Sequence, residues 1–237
     1  MIKSPQRVYW YKHQASNVKP HLKEQLKYII LAETSLLITA LIVYKRPNGW
    51  MLPQQELISN AVFTAICVLG VIAGVAPKWC SFASGSERRG ADGVSGHHPD
   101  CGRFTGHTVR LGGRGFCAGC SGLVIGAAFS LLGLYSGYYP LNMGTGFWVG
   151  VLMVGLGLAQ HHIDLGIGWI HLMLNVMFVM GDWLMYEAIQ MMNLGFLVSA
   201  YFLAVTIFWI FSRIRASQWT HVGVCSGCTE VCSIRFE

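Results

Sequence analysis

The chain has 237 residues, 53% of them hydrophobic and only 12% charged, whereas an ordinary soluble domain carries about a quarter charged residues. That balance excludes a water-exposed globule. The net charge of +6 does not indicate a nucleic-acid partner, because the Lys and Arg residues sit at the ends of apolar runs and form no basic stripe interleaved with aromatics.

The apolar runs approach the ~20 residues needed to cross a bilayer, so the unit of architecture is the membrane span. A basic segment, residues 1–27, precedes the first run, which begins near Tyr28 and lacks a small-residue cleavage pattern; it reads as an anchor and not as a signal peptide. Two spans are expected within 28–77, Tyr28 to Tyr44 and Ile58 to Val75, followed by a Cys/His loop over 78–116. Four more are expected within 117–212: Gly119 to Tyr138, Gly146 to Ile163, Gly168 to Glu187 and Leu194 to Phe211. His161, His162 and Asp164 interrupt the join between the fourth and fifth, so a re-entrant hairpin competes there with two full spans. Residues 213–237 form a Cys-rich tail. The expected fold is an all-α polytopic bundle of about six transmembrane helices with a small cysteine-rich cytoplasmic cap.

Orientation follows from the positive charges, since short loops rich in Lys and Arg stay in the cytoplasm. Lys3, Arg7, Lys12, Lys19, Lys23 and Lys27 precede the first span, and Lys78, Arg88, Arg89, Arg103, Arg110 and Arg114 lie between the second and third. Arg213, Arg215 and Arg235 follow the sixth, while the opposite side has only Lys45 and Arg46. A multi-pass protein of the cell membrane with both termini cytoplasmic is expected. Small residues four apart, Gly70 with Gly74, Gly122 with Gly126 and Gly146 with Gly150, suit close helix packing.

Six of the eight cysteines fall in two groups. Cys101, His107, Cys117 and Cys120 form one, with His97 and His98 just upstream; His221, Cys225, Cys228 and Cys232 form the other. Cytosolic thiols rarely persist as structural disulfides, so grouped cysteines there point to metal ligands or reactive thiols. Structural zinc in one or two sites fits three thiolates and an imidazole, and a set of four protein ligands is closed and therefore structural. An iron–sulfur cluster, a redox pair at Cys117 and Cys120, and a site shared between the two groups are the alternatives. Zinc would order a loop too poor in apolar residues to fold on its own core. Cys67 and Cys80 stand alone and suit packing.

The segment His98-Pro99-Asp100-Cys101-Gly102-Arg103-Phe104, followed by Phe116-Cys117-Ala118-Gly119-Cys120-Ser121-Gly122, resembles the domain of unknown function 2085 family of predicted prokaryotic membrane proteins. The resemblance covers about Gly96 to Trp183, with Asp164, Asn175 and Gly181 falling near an Asp-Gly, an Asn and a Gly of that family. Leu165 stands here in place of the Gly after the Asp, and Gly119 in place of an Arg inside the Cys-x-x-Cys. The family has no established activity, so the resemblance implies an architecture and metal ligands without a reaction.

Ionisable residues inside spans are costly and raise a functional question by default. His171, Asn175 and Asp182 share one face of the fifth span. Together with His161, His162 and Asp164 they suggest an intramembrane proton or ion lane, or ligands for haem; the competing reading is hydrogen bonding to neighbouring helices. Met173, Met177 and Met180 lie on the other face and suit packing. No phosphate loop, Ser-x-x-Lys or His-Glu-x-x-His pattern occurs. The sequence thus favours a non-enzymatic subunit or assembly factor of a membrane complex with cytoplasmic zinc, over a membrane oxidoreductase using the Cys-x-x-Cys pair, an Fe–S cluster or haem with quinone.

Overall fold

The computed structural model describes residues 18–46, 49–76, 94–95, 102–160 and 166–226. Its helices are α1 (Val18–Lys45), α2 (Gln55–Val75), α3 (Ala118–Ser136), α4 (Met143–Ala159), α5 (Gly168–Met191) and α6 (Phe196–Ser226). Between α2 and α3 lie a strand β1 (Val94–Ser95), a short 3-10 helix (Gly102–His107), and strands β2 (Thr108–Leu111) and β3 (Arg114–Cys117). The protein is therefore mostly helical. Among the described residues five helices are long and apolar enough to cross a membrane, and α4 is apolar but has 17 residues, about 25 Å at 1.5 Å per residue.

Helices α4 and α5 are each continuous, and they run antiparallel with a close crossing. A Cβ on Gly150 would lie 2.6 Å from the Gly181 carbonyl oxygen, and one on Gly181 would lie 2.7 Å from Met153 Cβ. Gly122 and Gly126 do the same for α3 against α5, where added Cβ atoms would meet the Leu172 carbonyl at 2.6 Å and the Val176 carbonyl at 3.1 Å. Gly74 fits α2 against the Cys120 carbonyl, where a Cβ would lie 2.8 Å away. Gly74, Gly122, Gly126, Gly150 and Gly181 thus let backbones approach closely, and dispersion there replaces the hydrophobic drive that lipid cannot supply, whereas Gly70 meets only the Leu123 side chain at 3.6 Å. Gly146 differs, since it accommodates the Tyr139 ring and not another helix.

Several polar groups between helices are hydrogen-bonded. Trp209 Nε1 on α6 donates to the Ala32 carbonyl at 3.1 Å and to Ser35 Oγ at 2.8 Å on α1. The Tyr186 hydroxyl on α5 donates to Asn60 Oδ1 on α2 at 2.6 Å, and its ring stacks on Phe63 at 4.5 Å. At one end, the Phe196 N–H donates to the Trp50 carbonyl at 3.0 Å, tying the α1–α2 loop to the α5–α6 loop. Large apolar residues such as Leu37, Leu41, Leu69 and Leu132 remain exposed on the outer faces, as lipid-facing residues do.

Helix α6 runs on to Ser226, where the apolar run suggested an end near Phe211, and α1 begins at Val18, ahead of Tyr28. The two extensions support each other. Tyr28 packs edge-on against Phe211 at 6.0 Å and lies 5.5 Å from Trp219, and Gln25 Nε2 donates to Thr220 Oγ1 at 3.4 Å. Ser212, Arg213, Ala216 and His221 are all buried, so packing continues the helix through a stretch whose composition reads as a tail.

Candidate functional site

With six helices alternating in direction, the start of α1, the end of α2, the start of α3, the end of α4, the start of α5 and the end of α6 all fall at one end of the bundle. The strands and the 3-10 helix sit there too. A two-residue turn, Gly112-Gly113, joins β2 to β3 with φ of 56° and 79°, the left-handed pair that a tight hairpin requires. The register sets Thr108 opposite Cys117. His107, which precedes Thr108, is thereby brought to the strand position that leads into α3.

Cys117 caps α3. Its backbone is extended, and its Sγ accepts the Cys120 N–H at 3.4 Å. The sulfur thereby satisfies one of the N–H groups left open at the start of the helix. Cys117 is fully buried and Cys120 partly so.

The hairpin is pressed onto the first turn of α5 by glycines. A Cβ on Gly106 would lie 2.8 Å from Gly166 Cα, and one on Gly168 would collide with the Thr108 carbonyl. This approach brings His107 over His171, with ring centroids 4.7 Å apart and planes inclined by 30°. The end of α6 supplies His221, whose ring is 5.8 Å from that of His107 at 87°. Phe104 closes the group, 6.1 Å from His107 and 5.4 Å from His221, and is buried. Cys225 lies one turn beyond His221 on α6 and is also buried.

Three histidines expected in three separate roles therefore meet. His107 belonged to the loop group, His221 to the tail group and His171 to the intramembrane stripe. Among the described residues, no three His, Cys, Asp or Glu side chains are arranged to hold a metal ion. Cys101, His97, His98, Cys228 and Cys232 lie outside the described residues, as do His161, His162 and Asp164.

The stripe on α5 faces α6. Asn175 Nδ2 donates to the His171 carbonyl at 2.6 Å, and Asn175 Oδ1 accepts from Arg213 Nη2 at 2.7 Å. Two turns further on, Asp182 Oδ1 accepts from Thr206 Oγ1 at 2.8 Å. Asn175 and Asp182 are thus engaged in interhelical hydrogen bonds. Two residues of this region escape a reading by composition. Arg213 counts in sequence as a loop charge but is only 9% exposed, with its Cζ 4.0 Å over the Phe178 ring. Phe104 belongs to the Cys101 motif but carries no metal-ligand chemistry, so only its packing against the imidazoles marks it.

No known protein family, curated protein or solved structure matches this chain.

Proposed function

We propose that this is a six-span membrane protein whose Cys/His end faces the cytoplasm and holds structural zinc, and that it serves as a non-enzymatic subunit or assembly factor of a membrane complex. The observation that carries the reading is the meeting of His107, His171 and His221 from the cap, α5 and α6, at the end where Cys117, Cys120 and Cys225 also lie. Borderline-soft donors of this kind, imidazole and thiolate, are the set that zinc takes. Cys101, His107, Cys117 and Cys120 are the first ligand group, and His221, Cys225, Cys228 and Cys232 the second. With His107 beside His221, a centre shared by the two groups has as much support as two separate ones. The orientation rests on the concentration of Lys and Arg at this end. The resemblance to the domain of unknown function 2085 family rests on the residues around Cys101, Cys117 and Cys120, with Asp164, Asn175 and Gly181 beyond them.

One observation favours a second reading. The Cys120 N–H bonded to Cys117 Sγ at a helix start is the setting in which a Cys-x-x-Cys pair gains nucleophilic thiolate, as a membrane oxidoreductase would need. Metal analysis of the purified protein together with its absorption spectrum separates the two. One or two zinc ions per chain with no visible band fits the first; a Soret band, a brown iron–sulfur colour or a metal-free, redox-active dithiol overturns it.

A further inference from the structure

The outer ridges of α1 and α6 turn from apolar to cationic at one height. On α6, Ile207, Phe211, Arg215 and Trp219 follow one another four residues apart along a single ridge. Ile207, Phe211 and Arg215 are exposed and Trp219 is partly buried. On α1, the exposed Leu31 gives way to exposed Lys27 and Lys23 at the same spacing. The helices pair with Ala32 beside Trp209 and Gln25 beside Thr220, a register that brings Lys27 within a turn of the level of Arg215.

Tyr28 closes the seam between them. Its ring lies 6.0 Å from Phe211 and 5.5 Å from Trp219, the two residues that flank Arg215 on its ridge. Arg215 therefore stands beside the line where α1 meets α6, open to the surroundings. Its Cζ is 5.7 Å from the Phe211 ring and its Nη1 donates to Gln218 Oε1 at 3.5 Å, and among the described residues no carboxylate pairs with it. Lys27 Nζ meets Glu24 at 2.6 Å on an exposed turn, where such a pair is worth little.

Helix length fixes the depth of these charges. Lys27 lies 18 residues from Lys45 along α1, about 27 Å at 1.5 Å per residue, and Arg215 lies 19 residues beyond Phe196 at the start of α6, about 29 Å. Both lengths match the ~30 Å hydrocarbon core of a bilayer, so the two cations stand where acyl chains give way to phosphates. A guanidinium engages phosphate through paired N–H donors, and Trp and Tyr favour the headgroup level.

We propose that the α1–α6 seam binds one anionic phospholipid, its phosphate held by Arg215 and Lys27 and its chains lying along Phe211 and Ile207. Binding of this kind needs a bundle that spans a bilayer, but neither zinc nor a particular orientation. Native mass spectrometry of the full-length protein in neutral detergent tests it, with phosphatidylglycerol titrated against phosphatidylcholine of the same chains. The expected result is one saturable phosphatidylglycerol adduct, with phosphatidylcholine binding more weakly. Arg215→Gln should weaken half-saturation by phosphatidylglycerol about fivefold, whereas Lys45→Gln, at the opposite end of α1, should leave it unchanged. Equal binding of the two lipids, an unchanged half-saturation in Arg215→Gln, or an equal loss in Lys45→Gln overturns the site. Should Arg215→Gln fail to fold, Lys27→Gln decides by the same comparison.

Discussion

The imidazole of His107 lies 4.7 Å from that of His171, although the first belongs to the cap and the second to α5. The segment carrying His107 is thus seated directly on the first turn of α5. Gly106, Gly166 and Gly168 make this seating possible. Gly168→Val should lift the hairpin off α5, reducing metal retention and exposing the cap to protease while the helices stay folded. Limited proteolysis beside circular dichroism reads both effects.

Cys117→Ser should release metal from the proposed centre and make the segment 81–116 a protease target, with the membrane helices unaffected because helix packing stabilises them independently. Unchanged metal content and protease resistance would remove Cys117 from the ligand set.

Asp182 and Thr206 join α5 to α6 by one hydrogen bond of 2.8 Å. Asp182→Asn keeps an acceptor for Thr206 and should leave folded yield near normal. Asp182→Leu strands the hydroxyl and should cost about 1 kcal/mol, the usual range for polar contacts between membrane helices. A double-mutant cycle with Thr206→Val under controlled detergent unfolding measures the coupling. If Asp182→Asn folds normally yet alters an activity or partner, the residue serves a lane as well as a contact.

Trp209→Phe removes the donor to Ala32 and Ser35 while keeping most of the buried ring, and should cost about 1 kcal/mol. Trp209 is fully buried where α1 meets α6, so the loss should appear in whole-protein unfolding and not as local fraying.

How much of this was legible in sequence differs by element. The apolar runs and the small-residue pairs fix the helices and several of their contacts, because length and close approach are local properties. The ends of α1 and α6 were not legible: residues 212–226 hold Ser212, Arg213, Arg215 and His221, and only contact with Tyr28 and Gln25 on another helix explains their continued helicity. Arg213 looked like a cytoplasmic charge for the same reason. The Cys and His groups stood out by spacing, but spacing cannot show that His107, His171 and His221 share one place, since that follows from the Gly106–Gly166 approach and from the length of α6.

Both ends of the chain should report the cytoplasm in reporter fusions at Met1 and Glu237, because the Lys and Arg residues concentrate at that end of the helices. Reporters placing both outside would put the cysteines in an oxidising compartment and make disulfides the leading assignment.

Zinc-edge X-ray absorption on the purified protein tests the central proposal most directly. The expected spectrum has a first shell of mixed sulfur at ~2.3 Å and nitrogen at ~2.0 Å, and the nitrogen contribution falls in His107→Ala. Absence of zinc, or a shell containing only oxygen and nitrogen, would contradict a structural centre built on Cys117, Cys120 and His107.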